Sequence, residues 1–307
     1  MRKINTAIKQ LKADKRGFLV SLIQQFCFLF PDRLYLKMLY WLKLGRKLDL
    51  ENPLRFTEKL QWLKLYNHNP LYTELVDKAV AKEHVARWIG EEHIIPTLGV
   101  WDSFGDIDFE SLPEKFVLKA TNGSGGHDVV ICRDKKQLDI EKARKIINNS
   151  LKKDVYLKLR EWPYKGVAHR IIAEQYMEDE TGELRDYKFF CFDGMPKAML
   201  IASNRYTHHN FTYFDMDFHR LPITSVAGEQ SDEVFKKPET FDEMVSVASR
   251  LSQNIPHVRV DLYTCQGKVY FGELTFFDTS GFDNMCSDEW DLKFGSWLKL
   301  PDKDKAL

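Results

Sequence analysis

The chain has 307 residues, with 45 lysines and arginines set against 45 aspartates and glutamates. A net charge of zero gives no global field to draw in nucleic acid or an acidic polymer, so recognition by charge must come from local clusters. Five cysteines (Cys27, Cys132, Cys191, Cys265 and Cys286) lie far apart without a CxxC pair, which speaks against a zinc site or a disulfide framework and for a reduced, cytoplasmic setting. The length is enough to bury a sizeable core in one large domain or in two to three lobes.

From the N-terminus, the most apolar run is 17–30, followed at once by Pro31-Asp32-Arg33. With Gln24 and Gln25 inside it, this run is too short for a bilayer core of roughly 30 Å. No small-residue cleavage site of a signal peptide follows it. A packed helix is the plain expectation. The sharper one is contact of residues 17–47 with a membrane surface, because Arg33, Lys37, Lys43, Arg46 and Lys47 interleave with Leu, Tyr and Trp. Residues 1–66 read as an amphipathic helical extension, interrupted at Asn52-Pro53 and resumed by Phe56, Leu60, Leu63 and Leu65. One helix is expected over Leu71 to Ile89, closed by Gly90. Beyond it, short apolar runs alternate with turn signals at 116–120, 129–132, 170–176, 187–192, 197–202, 258–263 and 269–276. Helices at 135–152 and 239–252 interrupt them, with Pro238 and Glu239 in the first turn of the second. Asp193-Gly194 predicts a tight hairpin. There is no internal repeat and no low-complexity segment. The texture is α+β, with mostly antiparallel strands after residue 115, and it divides into segments 1–66, 67–114, 115–180 and 181–307.

Three constellations could carry chemistry. A strand at Phe116 to Ala120 feeds Gly123-Ser124-Gly125-Gly126, a loop in which backbone N–H groups can approach a phosphate. Alternation sends Val117 and Lys119 to one face, so Lys119 stands at the mouth of the loop. The spacing is not that of a P-loop, and a flexible surface turn is the bland alternative. Next, Asp186 and Lys188 share a face. A regular two-residue turn puts Lys188 opposite Met199 and Asp186 opposite Ile201, so the odd-numbered residues of the return strand, with Arg205, join that face. An acid for a sugar hydroxyl and two cations for phosphates would suit a nucleotide, whereas a solvated ion-pair face would need no ligand. Third, Arg259 and Asp261 face away from the core, and Glu273 and Thr275 share a face of the next strand. A two-residue turn at Gln266-Gly267 would set Asp261 opposite Gly272, whereas a longer, bulged turn, Gln266-Gly267-Lys268, brings it opposite Glu273, and two facing carboxylates suit Mg²⁺. The alternative is a structural ion pair with Arg259.

Taken in order, these pieces resemble the ATP-grasp superfamily, and within it the TupA-like group found with bacterial surface-polysaccharide biosynthesis. The resemblance rests on Phe56-Thr57-Glu58-Lys59-Leu60-Gln61-Trp62, Asp77-Lys78, Phe116-Val117-Leu118-Lys119, Arg160-Glu161-Trp162-Pro163-Tyr164, Asp186-Tyr187-Lys188, Arg259-Val260-Asp261-Leu262-Tyr263 and Gly272-Glu273-Leu274-Thr275-Phe276. It implies two α+β lobes gripping ATP, behind the helical extension. It also implies roles. Lys78 and Lys119 would contact phosphates under a lid at Gly123, Ser124, Gly125 and Gly126. Glu174 would accept from the adenine amino group, and the backbone of Gln175, Tyr176 and Met177 would read the purine edge. Asp186 would sit at the ribose, Lys188 and Arg205 at phosphates with Arg259 beside them, and Asp261, Glu273 and Thr275 at Mg²⁺. Thr275 stands where the superfamily usually has asparagine, and the turn after Phe277 lacks the expected proline-glycine pair, so Ser280 and Gly281 are weaker candidates for holding an oxyanion.

The implied reaction joins a carboxylate, such as a uronic acid of a glycan, to an amine through an acyl phosphate made from ATP. Such an enzyme would act in the cytoplasm, at the inner face of the bacterial membrane. Arg160, Trp162, Tyr164 and Lys165 form a basic-aromatic cluster apt for a sugar carboxylate, or else a structural Trp-Pro turn. Two rival functions remain at this stage. Asp215-Met216-Asp217 is the DxD spacing of nucleotide-sugar glycosyltransferases, and a non-catalytic nucleotide-binding protein is the third reading.

Overall fold

Two antiparallel sheets form where apolar residues alternate, and each turns one face to a helix. The computed structural model describes residues 14–123, 128–179, 182, 184–203, 209–224, 228–283 and 287–302. The smaller sheet contains β1 (Thr97–Trp101), β2 (Phe116–Ala120), β3 (Val129–Cys132) and β4 (Ile171–Gln175), in the order β1-β4-β2-β3. Phe116, Leu118 and Ala120 are buried while Val117 and Lys119 are half-buried, the period-two pattern of a one-sided strand. Of the helices numbered here in chain order, α6 (Ile140–Leu151) covers the buried face with Ala143 and Ile147. Its start is fixed by Asp139, whose side chain accepts from Lys142 N–H at 2.9 Å.

The larger sheet contains β5 (Asp186–Phe192), β6 (Met195–Ser203), β7 (Asn210–Phe214), β8 (Val258–Cys265) and β9 (Lys268–Thr275), in the order β7-β6-β5-β8-β9. All pairings between named strands are antiparallel. Its core face carries Phe189, Val260 and Leu274 against α8 (Phe241–Leu251), which buries Phe241, Met244, Val247, Ala248 and Leu251. Strands β1 and β7 were not foreseen. Pro238 and Glu239 precede α8 rather than opening it.

Two hairpins of this sheet, β5–β6 and β8–β9, turn in two residues with left-handed backbone: Asp193-Gly194 (φ 48° and 78°) and Gln266-Gly267 (φ 52° and 72°). The first is as expected, but a bulge at Lys197, opposite the step from Phe190 to Cys191, changes the register, pairing Lys188 with Leu200 and Asp186 with Ala202. Even-numbered residues of β6, not odd ones, therefore stand opposite the Asp186–Lys188 pair. In the second hairpin the three-residue turn is wrong and its consequence right. A two-residue turn pairs Cys265 with Lys268, then one extra residue, Gly272, restores Asp261 opposite Glu273.

At the N-terminal end, α1 (Lys15–Gln25) buries no residue, α2 (Asp32–Leu44) stops at left-handed Gly45, and α3 (Phe56–Tyr66) packs beside α9 (Asp288–Trp297), Phe56 and Phe294 both meeting Phe192 of the larger sheet. Thr57 of α3 hydrogen-bonds the buried Asp291 carboxylate through N–H (2.9 Å) and Oγ1 (2.8 Å). Phe28 and Leu29 stay 68 % and 64 % exposed, so an apolar surface does face outward here. Its cations are partly engaged: Arg33 pairs with Glu51, Arg46 with Asp288 and Asp291, and Lys43 lies over the Phe282 ring. Among the described residues no helix is long and apolar enough to cross a membrane.

The single helix expected over 71–89 is two, α4 (Leu71–Val76) and α5 (Val80–Ile89). Asp77 makes the break by accepting from the N–H groups of Ala79 (2.9 Å) and Val80 (3.2 Å), which starts α5 afresh. The break leaves Lys78 outside both helices, and the site depends on that. The remaining helix, α7, is the short turn Val155–Leu159.

Candidate active site

Register decides which side chains meet. Lys188 on β5 pairs with Asp261 on β8, and Asp261 pairs with Glu273 on β9, so one row of charge crosses three strands. Arg259 and Thr275 form the next row. Lys188 donates to Asp261 and lies 3.5 Å from Asp186. Arg259 grips both oxygens of Asp261 at 2.7 Å. It also reaches Thr275 Oγ1 at 3.1 Å and Glu273 at 3.4 Å, and its other terminal nitrogen donates to Asp278. Asp261 is 1 % exposed, and burying a carboxylate is costly without such partners.

Four carboxylates (Asp186, Asp261, Glu273, Asp278) thus surround two cations, Lys188 and Arg259. Burial pushes the Glu273 carboxyl up, but Lys78, Lys188 and Arg259 together outweigh it and hold the group at about 2. Burial also raises the Asp278 carboxyl, against the pull of Arg259. An excess of hard oxygen donors on facing strands fits a divalent cation such as Mg²⁺.

The smaller sheet builds the reverse. Glu174 on β4 is buried between two lysines: Lys119 of β2 donates to Oε2, and Lys82 of α5 lies 2.6 Å from Oε1. Burial alone would raise the Glu174 carboxyl, yet the lysines pull it down to about 2. Lys82 is itself buried and also donates to Ile95 O (2.7 Å) and Thr97 Oγ1 (3.1 Å). Sequence reasoning missed it, although Lys82, Val85 and Ile89 fall on one helical stripe, which is a signal that this lysine points inward. Asp278 was missed too; it lies in a turn with no spacing to mark it.

Lys78 joins the two clusters. Its N–H donates to Thr121 O (3.1 Å), its ammonium donates to Gly123 O at the start of the glycine loop, and the same ammonium lies 3.6 Å from Glu273. Of the loop, Ser124, Gly125 and Gly126 lie outside the described residues, as does Arg205. After β4 the chain passes through Tyr176 and Met177. The Gln175 N–H is already donated to Pro96 O at 3.0 Å.

The remaining candidates separate. Arg160 is buried, with its guanidinium on Cys27 O (2.7 Å), Phe30 O (3.3 Å) and Asp32 (2.7 Å), so it ties the N-terminal helices to the core. Trp162 donates to Asn67 O at 2.9 Å and packs on His68. Tyr164 and Lys165 line a cavity instead. Thr279, Ser280 and Gly281 are three consecutive left-handed residues (φ 44°, 56° and 65°) in the turn that follows β9 after Phe276, Phe277 and Asp278. Helix α3 clasps them: Gln61 donates to Ser280 O and Gly281 O at 3.0 Å, and Lys64 to Ser280 O and Oγ at 2.8 Å. Burial lowers the Lys64 ammonium and raises the neighbouring Glu161 carboxyl.

Asp215, Asp217 and His219 could together reach a metal ion. They are at least partly exposed, and Asp215 Oδ1 accepts from the N–H groups of Asp217 (3.0 Å) and His219 (2.8 Å), as in an ordinary Asx turn.

A family model described as TupA-like ATPgrasp matches residues 58–299. Among solved structures, the chain is similar to D-alanine–D-alanine ligase from Bacillus anthracis, with 17% identity over 70% of this chain and 62% of that one and a TM-score of 0.42. It is similar to D-cycloserine synthetase DcsG, with 17% identity, coverage of 77% and 72%, and a TM-score of 0.41. It is also similar to the ATP-grasp ligase PsnB complexed with minimal precursor, Mg and ADP, with 12% identity, coverage of 88% and 65%, and a TM-score of 0.36. The chain thus spans under two thirds of the first and last of these, at 62% and 65%. No curated protein matches the sequence.

Proposed function

The chain belongs to the TupA-like ATP-grasp family and has the ATP-grasp fold, and from that premise we propose that it is an ATP- and Mg²⁺-dependent, ADP-forming carboxylate–amine ligase. The observation that carries the reading is Lys78, whose ammonium links the glycine loop that leaves the smaller sheet to Glu273 in the carboxylate-rich cluster of the larger one. Mg·ATP presents both complements, a polyanionic triphosphate and a hard cation.

Lys78 and Lys119 hold the phosphates, and the loop 123–126 covers them. Asp261, Glu273 and Thr275 would hold the metal, which when bound would supply positive charge against the transferred phosphoryl group. Lys188, Arg259 and Arg205 stabilise that charge from the protein side. Asp186 binds the ribose. Because the Gln175 N–H is engaged, the backbone of Tyr176 and Met177 reads the purine edge, and Glu174 serves first as counter-charge to Lys82 and Lys119. In the reaction an acceptor carboxylate oxygen attacks the γ-phosphorus, the bond to the bridging oxygen breaks, and ADP leaves. The amine then attacks the acyl carbon, loses a proton and expels phosphate, leaving an amide.

The acceptor is a uronic acid or related carboxylate of bacterial surface polysaccharide, and the amine an amino acid or amino sugar. The four segments 1–66, 67–114, 115–180 and 181–307 act as helical extension, first part of the core, lid and hinge, and metal-bearing lobe. The extension rests at the inner membrane face, supported by exposed Phe28, Leu29 and Trp41; deleting residues 1–47 should abolish flotation with anionic liposomes. A screen of ADP release over uronic acids paired with amino acids tests the reaction. Amide product matching ADP one to one is expected. ADP release that needs a carboxylate but never an amine would overturn the ligase assignment.

A further inference from the structure

Between Asn122 and the segment 153–169 lies a cavity of about 160 Å³, open to solvent on one side. Its lining includes Asn122, Lys153, Tyr156, Tyr164, Lys165 and His169. Tyr164 is the shared wall, because it also lines the cleft that holds Lys78 and Glu273. The cavity therefore adjoins the place where the two charged clusters meet.

The charge of the lining is lopsided. Its one acidic residue, Asp154, turns its carboxylate onto its own chain and accepts from Leu157 N–H at 2.8 Å, capping α7. Lys153 pairs with Asp128, while Lys165 is exposed, lies 5.1 Å from the Tyr156 ring centre and has no carboxylate partner among the described residues. Asn122 supplies a second, independent observation. It is 2 % exposed and its amide nitrogen donates to Lys153 O at 3.3 Å, but its Oδ1 has no partner among the described residues. A buried acceptor of this kind is destabilising unless something donates to it.

We propose that this cavity is the acceptor subsite, taking a carboxylate-bearing molecule that also carries a hydroxyl or ammonium donor; the proposal rests on the ligase reading. Lys165, with His169 beside it, attracts the negative charge. That carboxylate is the reacting end and lies between Lys165 and Tyr164, toward the cleft, while the donor meets Asn122 Oδ1. Neither Arg160 nor Trp162 takes part.

The test uses the full chain, with D-glucuronate and L-glutamate as probes and glucose as the uncharged control, read by saturation-transfer NMR alongside calorimetry with Mg·ADP. One or both carboxylates should bind and glucose should not. Lys165→Ala should weaken that binding at least tenfold while the Mg·ADP affinity stays within twofold. In turnover, the same variant should raise the acceptor KM far more than it lowers kcat, and Lys165→Arg should recover most of the loss. Equal carboxylate binding by Lys165→Ala would overturn the subsite, as would a wild type that binds Mg·ADP but neither carboxylate. Failure to bind Mg·ADP at all would overturn the ligase reading and the subsite with it.

Discussion

The smaller sheet places one buried carboxylate, Glu174, between Lys82 and Lys119, whereas the larger places Asp186, Asp261, Glu273 and Asp278 around Lys188 and Arg259. Each cluster is hydrogen-bonded within itself, so neither is an accident of unpaired charge. They differ in what remains when the internal pairs are counted: cation on one side, carboxylate on the other. A buried charge must be compensated, and the sign of the excess states the sign of the partner. On the proposed reading, phosphate completes the first cluster and Mg²⁺ the second, with Lys78 touching both halves.

The strongest way to break this contrast is to neutralise the larger cluster. Asp261→Asn keeps the shape but gives Arg259 and Lys188 a neutral partner. ATP turnover should fall about a thousandfold, equivalent to ~4 kcal/mol of transition-state stabilisation, with the far-UV circular dichroism spectrum unchanged. Retained turnover in a phosphate-release assay would refute the metal assignment.

The smaller cluster is sharpened by pH. Glu174 has a folded pKa of about 2 against an ordinary 4.5, so its contribution is complete above pH 4.5 and is lost as pH falls from 4.5 toward 2. For a shift of that size the loss by pH 3 is about 2 kcal/mol. Urea unfolding at pH 7 and pH 3 should show the wild type losing that much more than Glu174→Gln. An equal loss in both would mean that Lys82 and Lys119 do not hold Glu174 ionised.

An effect on turnover well below that of Asp261→Asn is expected at the bulge. A Cβ on Gly272 would stand 2.9 Å from both Asp261 O and the Tyr263 ring, too close without a shift of backbone. Gly272→Ala should destabilise by about 1–3 kcal/mol, as overpacking does, and slow turnover roughly tenfold, a change of ~1.4 kcal/mol. An unaffected enzyme would show that the register at Asp261 does not depend on Gly272.

Much of the larger sheet was legible because alternation is a strong signal: Asp186 with Lys188, and Asp261 opposite Glu273, follow from parity and one turn. What alternation cannot reveal is a bulge. The one in β6 moved the β6 partners of Asp186 and Lys188 by a residue, and the one at Gly272 produced the right pairing through a different turn. Lys82 was passed over because a lysine in a helix is usually solvated. Helix α5 instead packs it inward, where Ile95 O, Thr97 and Glu174 receive its protons. The split between α4 and α5 was hidden because Asp77 acts through its side chain, and helical periodicity carries almost straight across the break. The roles of Arg160 and Trp162 were ambiguous for a different reason. Their partners, Cys27, Phe30 and Asn67, are remote in sequence, and only the fold brings them near.

The central claim, opposite excess charge on the two sheets, is tested most directly by titrating ADP into the wild type, Lys119→Ala and Asp261→Asn, each with and without Mg²⁺. The account predicts that Lys119→Ala weakens ADP binding in both conditions and keeps the gain from Mg²⁺. Asp261→Asn should bind metal-free ADP at least as well as the wild type and lose that gain. Loss of the Mg²⁺ response in Lys119→Ala, or its survival in Asp261→Asn, would contradict the account.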